Sequence, residues 1–198
     1  TSHSLAFTGG SKTSTYVVSG GYTGQDGVIG GSDVSNYRRF NFRANSEHKM
    51  YNGLVTIGER VSFVWKTQRG MGTGNIWNNN LRSAFSSSPI HPVYDQNGDY
   101  ASTVNSDWNV NDGNPYGNMM VNRFNQSKSG NLDANVYMQI EPIKNLKIKT
   151  VYGISYGTSD YRSFTPEYQF TPQSANTLTK VNQSNGNGLS MVWTNTAQ

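Results

Sequence analysis

The sequence predicts an all-β chain of about seven antiparallel, up-and-down strands forming part of a transmembrane β-barrel with long loops at one end. Three observations carry this. Stretches of about ten residues alternate apolar and polar side chains, and a period of two gives a strand one apolar and one polar face. The composition is poor in helix formers and rich in strand and turn formers, with 14% charged residues, 21 Gly and 12 Tyr. Short and long connections alternate, so the long ones gather at one end, as in outer-membrane barrels.

The clearest strand pair is Asn131–Tyr156. Leu132, Ala134, Val136, Met138 and Ile140 share one face, and Asp133, Asn135, Tyr137, Gln139 and Glu141 share the other. A turn at Pro142–Asn145 leads into Leu146, Ile148, Tyr152, Ile154 and Tyr156, which resume the apolar face. The two strands are expected at 131–141 and 146–157.

Before this pair, strands are expected at 4–10 and 13–23 around a Gly-Gly-Ser-Lys-Thr turn, then at 36–46 and 54–67. In the third, Phe40, Phe42 and Ala44 oppose Arg39, Asn41, Arg43 and Asn45; in the fourth, Val55, Ile57, Val61, Phe63 and Trp65 share a face. Glu59 breaks that apolar face and calls for a partner on the neighbouring strand. A last strand is expected at 188–196, with Leu189, Met191 and Trp193 on one face. The long connections are 24–34, 68–130 and 158–187. Tyr22, Trp65, Tyr156 and Trp193 read as an interfacial aromatic girdle near the long-loop ends of their strands. Residues 1–198 read as a single segment cut from a longer barrel, without a signal peptide or initiator Met. A soluble β-sandwich also alternates, so a soluble carbohydrate-binding or adhesin-type module is the alternative. Sandwich strands are usually shorter and their long loops less one-sided.

Several chemistries are disfavoured. The chain has no Cys, hence no disulfide framework or thiolate metal site. The basic residues are scattered and form no nucleic-acid stripe. There is no apolar run of about 18 residues, and so no transmembrane helix. His3, His48 and His91 are far apart in sequence, and no metal or cofactor site is expected. Asp95-Gln-Asn-Gly-Asp99 departs from the EF-hand pattern: Gly98 comes too early, and Ser106 stands where the bidentate Glu belongs. It reads instead as an Asx-Gly turn at a loop tip. Asn109–Asn114 is similar, and is the better placed of the two for Ca²⁺, although a turn remains the preferred reading. Asp99, Asp107 and Asp112 would face one another across a cleft only by accident of folding, so no enzyme is expected.

The aromatic, amide-rich connection 69–130 is the best place for ligand contact. Sugar rings stack on aromatic faces, while amides and guanidinium groups bind hydroxyls. The candidate residues are Trp77, Asn79, Arg82, Tyr94, Trp108 and Tyr116, with Asn78 and Asn80 beside them. The competing role for the aromatics is to anchor the loop against the barrel rim or a partner.

Six segments in order resemble the SusC/RagA family of TonB-dependent outer-membrane transporters. They are Gly9–Tyr22, Gln25–Ile29, Tyr37–Asn45, Ser88–Tyr100, Asn114-Pro115, and Tyr137–Gly153 with its Glu-Pro-Ile-Lys-Asn-Leu core. The resemblance covers nearly the whole chain, more weakly over 157–187. It implies a bacterial outer-membrane location and a barrel of roughly 22 strands with a plugged lumen. It also implies import of glycan fragments or peptides, driven by the TonB complex through an N-terminal part absent here, and pairing with a SusD-like surface lipoprotein.

Overall fold

The computed structural model describes residues 1–71, 74, 79–104 and 113–198. One antiparallel sheet dominates it. The strands are β1 (Ser2–Gly10), β2 (Ser14–Asp26), β3 (Asn36–Met50), β4 (Val55–Arg69), β5 (Gln126–Ile143) and β6 (Leu146–Thr165). A small hairpin, β7 (Tyr168–Gln169) and β8 (Ala175–Asn176), precedes β9 (Lys180–Ala197). The seven-stranded order β1-β2-β3-β4-β5-β6-β9 follows the chain, with β7-β8 set apart.

The strands outrun their expected lengths mainly toward the long loops. There β5 begins at Gln126, β6 continues to Thr165, and β9 begins at Lys180. These extensions are rich in Asn, Ser and Gly on both faces, so they carry no hydrophobic alternation to read. Three short helices lie among the long connections: α1 (Gly31–Val34), α2 (Asn80–Ser86) and α3 (Pro115–Val121). The short connections are Ser11–Thr13, a 3-10 turn at Tyr51–Gly53, and Lys144-Asn145, where Asn145 takes the left-handed region at φ 71°.

The registers confirm one apolar face. Leu5, Gly20, Phe42, Phe63, Leu132, Tyr156 and Leu189 lie in one row across the sheet. Phe7, Val18, Ala44, Val61, Ala134, Ile154 and Met191 form the next. None of the described residues covers this face: Phe7 is 61% exposed, Phe40 53% and Met191 56%. On β4 the apolar run from Val55 to Trp65 spans about 34 Å of strand, or about 25 Å of height at a barrel tilt of about 40°. That matches the apolar band of a transmembrane barrel.

Of the buried apolar side chains among the described residues, only Tyr137 belongs to the wall. Val34, Ala101, Val121 and Phe170 lie in or beside the long connections. The compact core is therefore a cap of packed loops at one end of an otherwise open sheet.

Candidate functional site

Asn114 pins the cap together. It is the N-cap of α3: its side-chain oxygen accepts from Gly117 N at 2.9 Å, and Pro115 supplies the first helical φ. Its Nδ2 donates to Val93 O at 2.8 Å and to Ala101 O at 3.2 Å. With 1% of its surface exposed, Asn114 joins the start of α3 to both arms of the 93–101 loop.

Those arms form a small hairpin in which Tyr94 pairs with Tyr100. At its tip Asp95 Oδ1 accepts from Asn97 N at 2.8 Å and Asp99 N at 2.9 Å, and Gly98 takes φ 86°. This is the expected Asx-Gly turn; that carboxylate oxygen is engaged by backbone amides. The Tyr94 and Tyr100 rings stack at 5.5 Å, and Tyr116 meets each edge-on at 6.1 Å. The Tyr94 phenol is held above its ordinary pKa, first by its hydrogen bond with Tyr116, then by burial, then by the charges of Tyr116 and Tyr100.

The second long connection docks onto the first. Thr103 N donates to Phe170 O at 2.9 Å, and the Thr103 hydroxyl donates to the same oxygen at 3.2 Å. The Phe170 ring stacks on Tyr168 at 4.7 Å and meets Tyr100 at 6.2 Å. A cavity of about 230 Å³ opens between α2 and α3, lined by Ile29, Ala84, His91, Val93, Pro115 and Met119 among others.

Of the sequence candidates, the structure brings Tyr94 and Tyr116 together, 49% and 38% exposed. Asn79 caps α2 by accepting from Arg82 N at 3.1 Å, so its oxygen is engaged in the helix start. Trp77 and Trp108 lie outside the described residues, as do Asn78, Asp107, Asp112 and most of Asn109–Asn114. Sequence reasoning missed Tyr100, Tyr168 and Phe170 as members of the cluster. Tyr100 had a signal in its symmetric place across the Asx-Gly turn; Tyr168 and Phe170 had none, because their contact spans two loops. Among the described residues, no group of three or more His, Asp or Glu could hold a metal ion.

The polar face of the sheet carries a second cluster. Tyr137 lies over Gly58, its opposite number, where any Cβ would collide with the ring. Its hydroxyl donates to Glu47 Oε2 at 2.6 Å. Arg60 and Lys149 approach the ring at 5.8 and 4.3 Å. Arg43, Asn45, Asp133 and Asn135 extend this hydrophilic wall toward the cap.

No protein-family model matches the chain. It is similar to TonB-dependent receptor P3 of Formosa agariphila, 33% identical over 171 residues, covering 82% of this chain and 16% of that protein. It is also similar to TonB-dependent receptor P26 of the same organism, 27% identical over 166 residues, covering 81% of this chain and 15% of that protein. Solved structures of the RagAB peptide importer match 99% of this chain and 21% of theirs. The closed-closed state gives a TM-score of 0.74 at 22% identity, and the open-open state 0.74 at 21%. The chain resembles one segment of these TonB-dependent receptors. It spans about one-sixth of the length of the curated relatives it matches.

Its fold is that of a RagA-like barrel segment, which accounts for a sheet with one bare apolar face and one bare polar face. The relatives are receptors and importers, not enzymes, in keeping with the sequence reading. One expectation needs correction. Trp193 lies toward the short-turn end of its strand, not the long-loop end. It pairs with Tyr152, close to the end of β9, and its Nε1 donates to Thr150 Oγ1 at 2.8 Å. The reason is the hidden polar start of β9: the strand begins at Lys180, far before the first apolar residue that betrays it.

Proposed function

We propose that this chain is part of the wall and rim of an outer-membrane TonB-dependent importer of glycan fragments or peptides. The apolar face meets lipid and the polar face lines the lumen. The long-loop cap lies outside the cell, where it meets the ligand or a SusD-like surface lipoprotein. The missing remainder of the protein supplies the plug and the contact with TonB. The observation that carries this reading is the exposed, predominantly apolar face, about 25 Å tall once tilted, beneath a cap made from the long connections. A soluble module would bury that face, and none of the described residues does so. Both edge strands, β1 and β9, are exposed along nearly their whole length, which a barrel corrects by pairing them with further strands.

Tyr94 and Tyr116, with Trp77 and Trp108, are the proposed ligand or lipoprotein contacts, and Asn79 and Arg82 their polar neighbours. Double substitution of Tyr94 and Tyr116 by Ala in the full-length protein is expected to reduce uptake of labelled peptide or oligosaccharide while the barrel still assembles. Unchanged uptake of both ligand classes, together with unchanged lipoprotein co-purification, would remove these residues from the site.

A further inference from the structure

Glu59, the acid that interrupts the apolar face of β4, does have a partner. It lies opposite Ser46, whose Oγ donates to Glu59 Oε1 at 2.7 Å. Ser46 Oγ also lies 3.0 Å from His48 Nε2, and His48 Nδ1 lies 3.0 Å from Ser14 Oγ. A serine hydroxyl has one hydrogen. Ser46 gives its hydrogen to the carboxylate, so it receives one from His48, and Nε2 is the protonated nitrogen. Nδ1 then accepts from the Ser14 hydroxyl in the neutral ring, or donates to it in the charged one. Four side chains on β2, β3 and β4 thus form one polar chain on the apolar face, and its carboxylate keeps Oε2 outside the chain.

From the row Tyr22–Phe40–Trp65 down to the row Met50–Val55, no Lys or Arg shares this face with Glu59. A carboxylate facing lipid without a counter-charge is costly. Its position suggests where the counter-charge comes from. On the short-turn side β2 starts at Ser14, in the row of His48 and Ile57, whereas β3 and β4 run on to the row Met50–Val55, and β5 and β6 pass it to Ile143 and Leu146. Tilted strands crossing a level slab give such a stepped edge. Ser14 stands at that edge with His48 in its row, and Ser46, one row further in, links them to Glu59. Tyr16, 52% exposed, flanks the cluster, and exposed Lys12 stands in the turn leading to Ser14.

We propose that this cluster seats a phospholipid head group bearing a primary ammonium, of the phosphoethanolamine type. The ammonium meets Glu59, and the phosphate lies toward Ser14, His48 and Lys12. A primary ammonium brings three donors to the carboxylate; a quaternary ammonium brings none, and an anionic head group is repelled. This rests on the lipid-facing reading proposed above.

The test uses the full-length protein in nanodiscs containing equal phosphatidylethanolamine and phosphatidylcholine. Lipids retained after mild detergent release are counted by native mass spectrometry, and a nitroxide at Val61→Cys reports what covers the face. Preferential retention of phosphatidylethanolamine by about tenfold is expected, the worth of one charge-assisted hydrogen bond. Glu59→Gln should erase the preference, and Ser46→Ala should weaken it. A lipid-exposed nitroxide with no head-group preference overturns the seat and leaves the barrel reading intact; so does a preference that Glu59→Gln does not change. If Glu59→Gln does not assemble, the wild-type preference and Ser46→Ala decide. A nitroxide in water, or covered by another protein or a second copy, overturns the lipid-facing reading and the seat with it.

Discussion

Replacing Asn114 by Ala should open the loop cap without disturbing the wall. Three hydrogen bonds end on this side chain: one from Gly117 N and two to the carbonyls of Val93 and Ala101. Loss of an Asn N-cap costs about 1 kcal/mol. Ala101 O, left without a donor, costs about 1–3 kcal/mol, whereas Val93 O keeps the hydrogen bond from Ala101 N at 3.0 Å. The sum is about 2–4 kcal/mol of local stability. Hydrogen exchange in residues 93–104 and 113–121 of the full-length protein should then accelerate on the order of a hundredfold, because each 1.4 kcal/mol is about a factor of ten. Amides of β5 and β6 should keep their protection. Asn114→Ser, which restores a cap but not the two amide contacts, should recover about 1 kcal/mol. Unchanged exchange in the Ala variant would refute the claim that Asn114 holds the cap, and equal acceleration in β5 and β6 would refute the separation of cap from wall.

Three further outcomes follow from the same geometry. Val136→Arg, on the apolar face, should cost about 2–4 kcal/mol if it meets the bilayer midplane, while Asn135→Arg should be mild; reversible folding into liposomes compares them. Tyr137→Phe removes a hydrogen bond to a carboxylate and should cost about 2 kcal/mol in the same assay, whereas Tyr152→Phe, whose hydroxyl meets only the sulfur of Met191, should cost less. The raised pKa of Tyr94 means that the folded cap favours the neutral phenol. Its stabilising contribution is complete below the ordinary tyrosine value of about 10 and is lost as pH rises through the folded value. Cap amides should therefore lose protection in alkali more slowly in Tyr94→Phe than in wild type.

Much of the wall was legible because a membrane-type sheet writes its environment into alternate residues. Leu132 to Ile140 is apolar at every second position, and the registers put those side chains on the face shared with Phe42, Phe63 and Leu189. The signal stops where both faces turn polar. That is why Gln126–Gly130, Thr158–Thr165 and Lys180–Asn187 resembled loop, and why Trp193 was set at the wrong end of its strand. Glu59 was recognisable as an exception, but its relay through Ser46 and His48 to Ser14 depends on a register spanning three strands. In the cap, the Asx-Gly turn and the capping role of Asn114-Pro115 are local features that sequence can carry. The meeting of Tyr100 with Phe170 joins two loops separated by two strands, and no local pattern encodes it.

The central claim is that one face of this sheet meets lipid and the other a watery lumen. Single cysteines placed in turn from Leu132 to Gln139 in the full-length protein, in native outer membranes, test it most directly. Labels at Leu132, Ala134, Val136 and Met138 should be quenched by lipid-soluble reagents and spared by water-soluble ones. Asp133, Asn135 and Gln139 should show the reverse pattern. Water-soluble reagents reaching both sets equally would contradict the account.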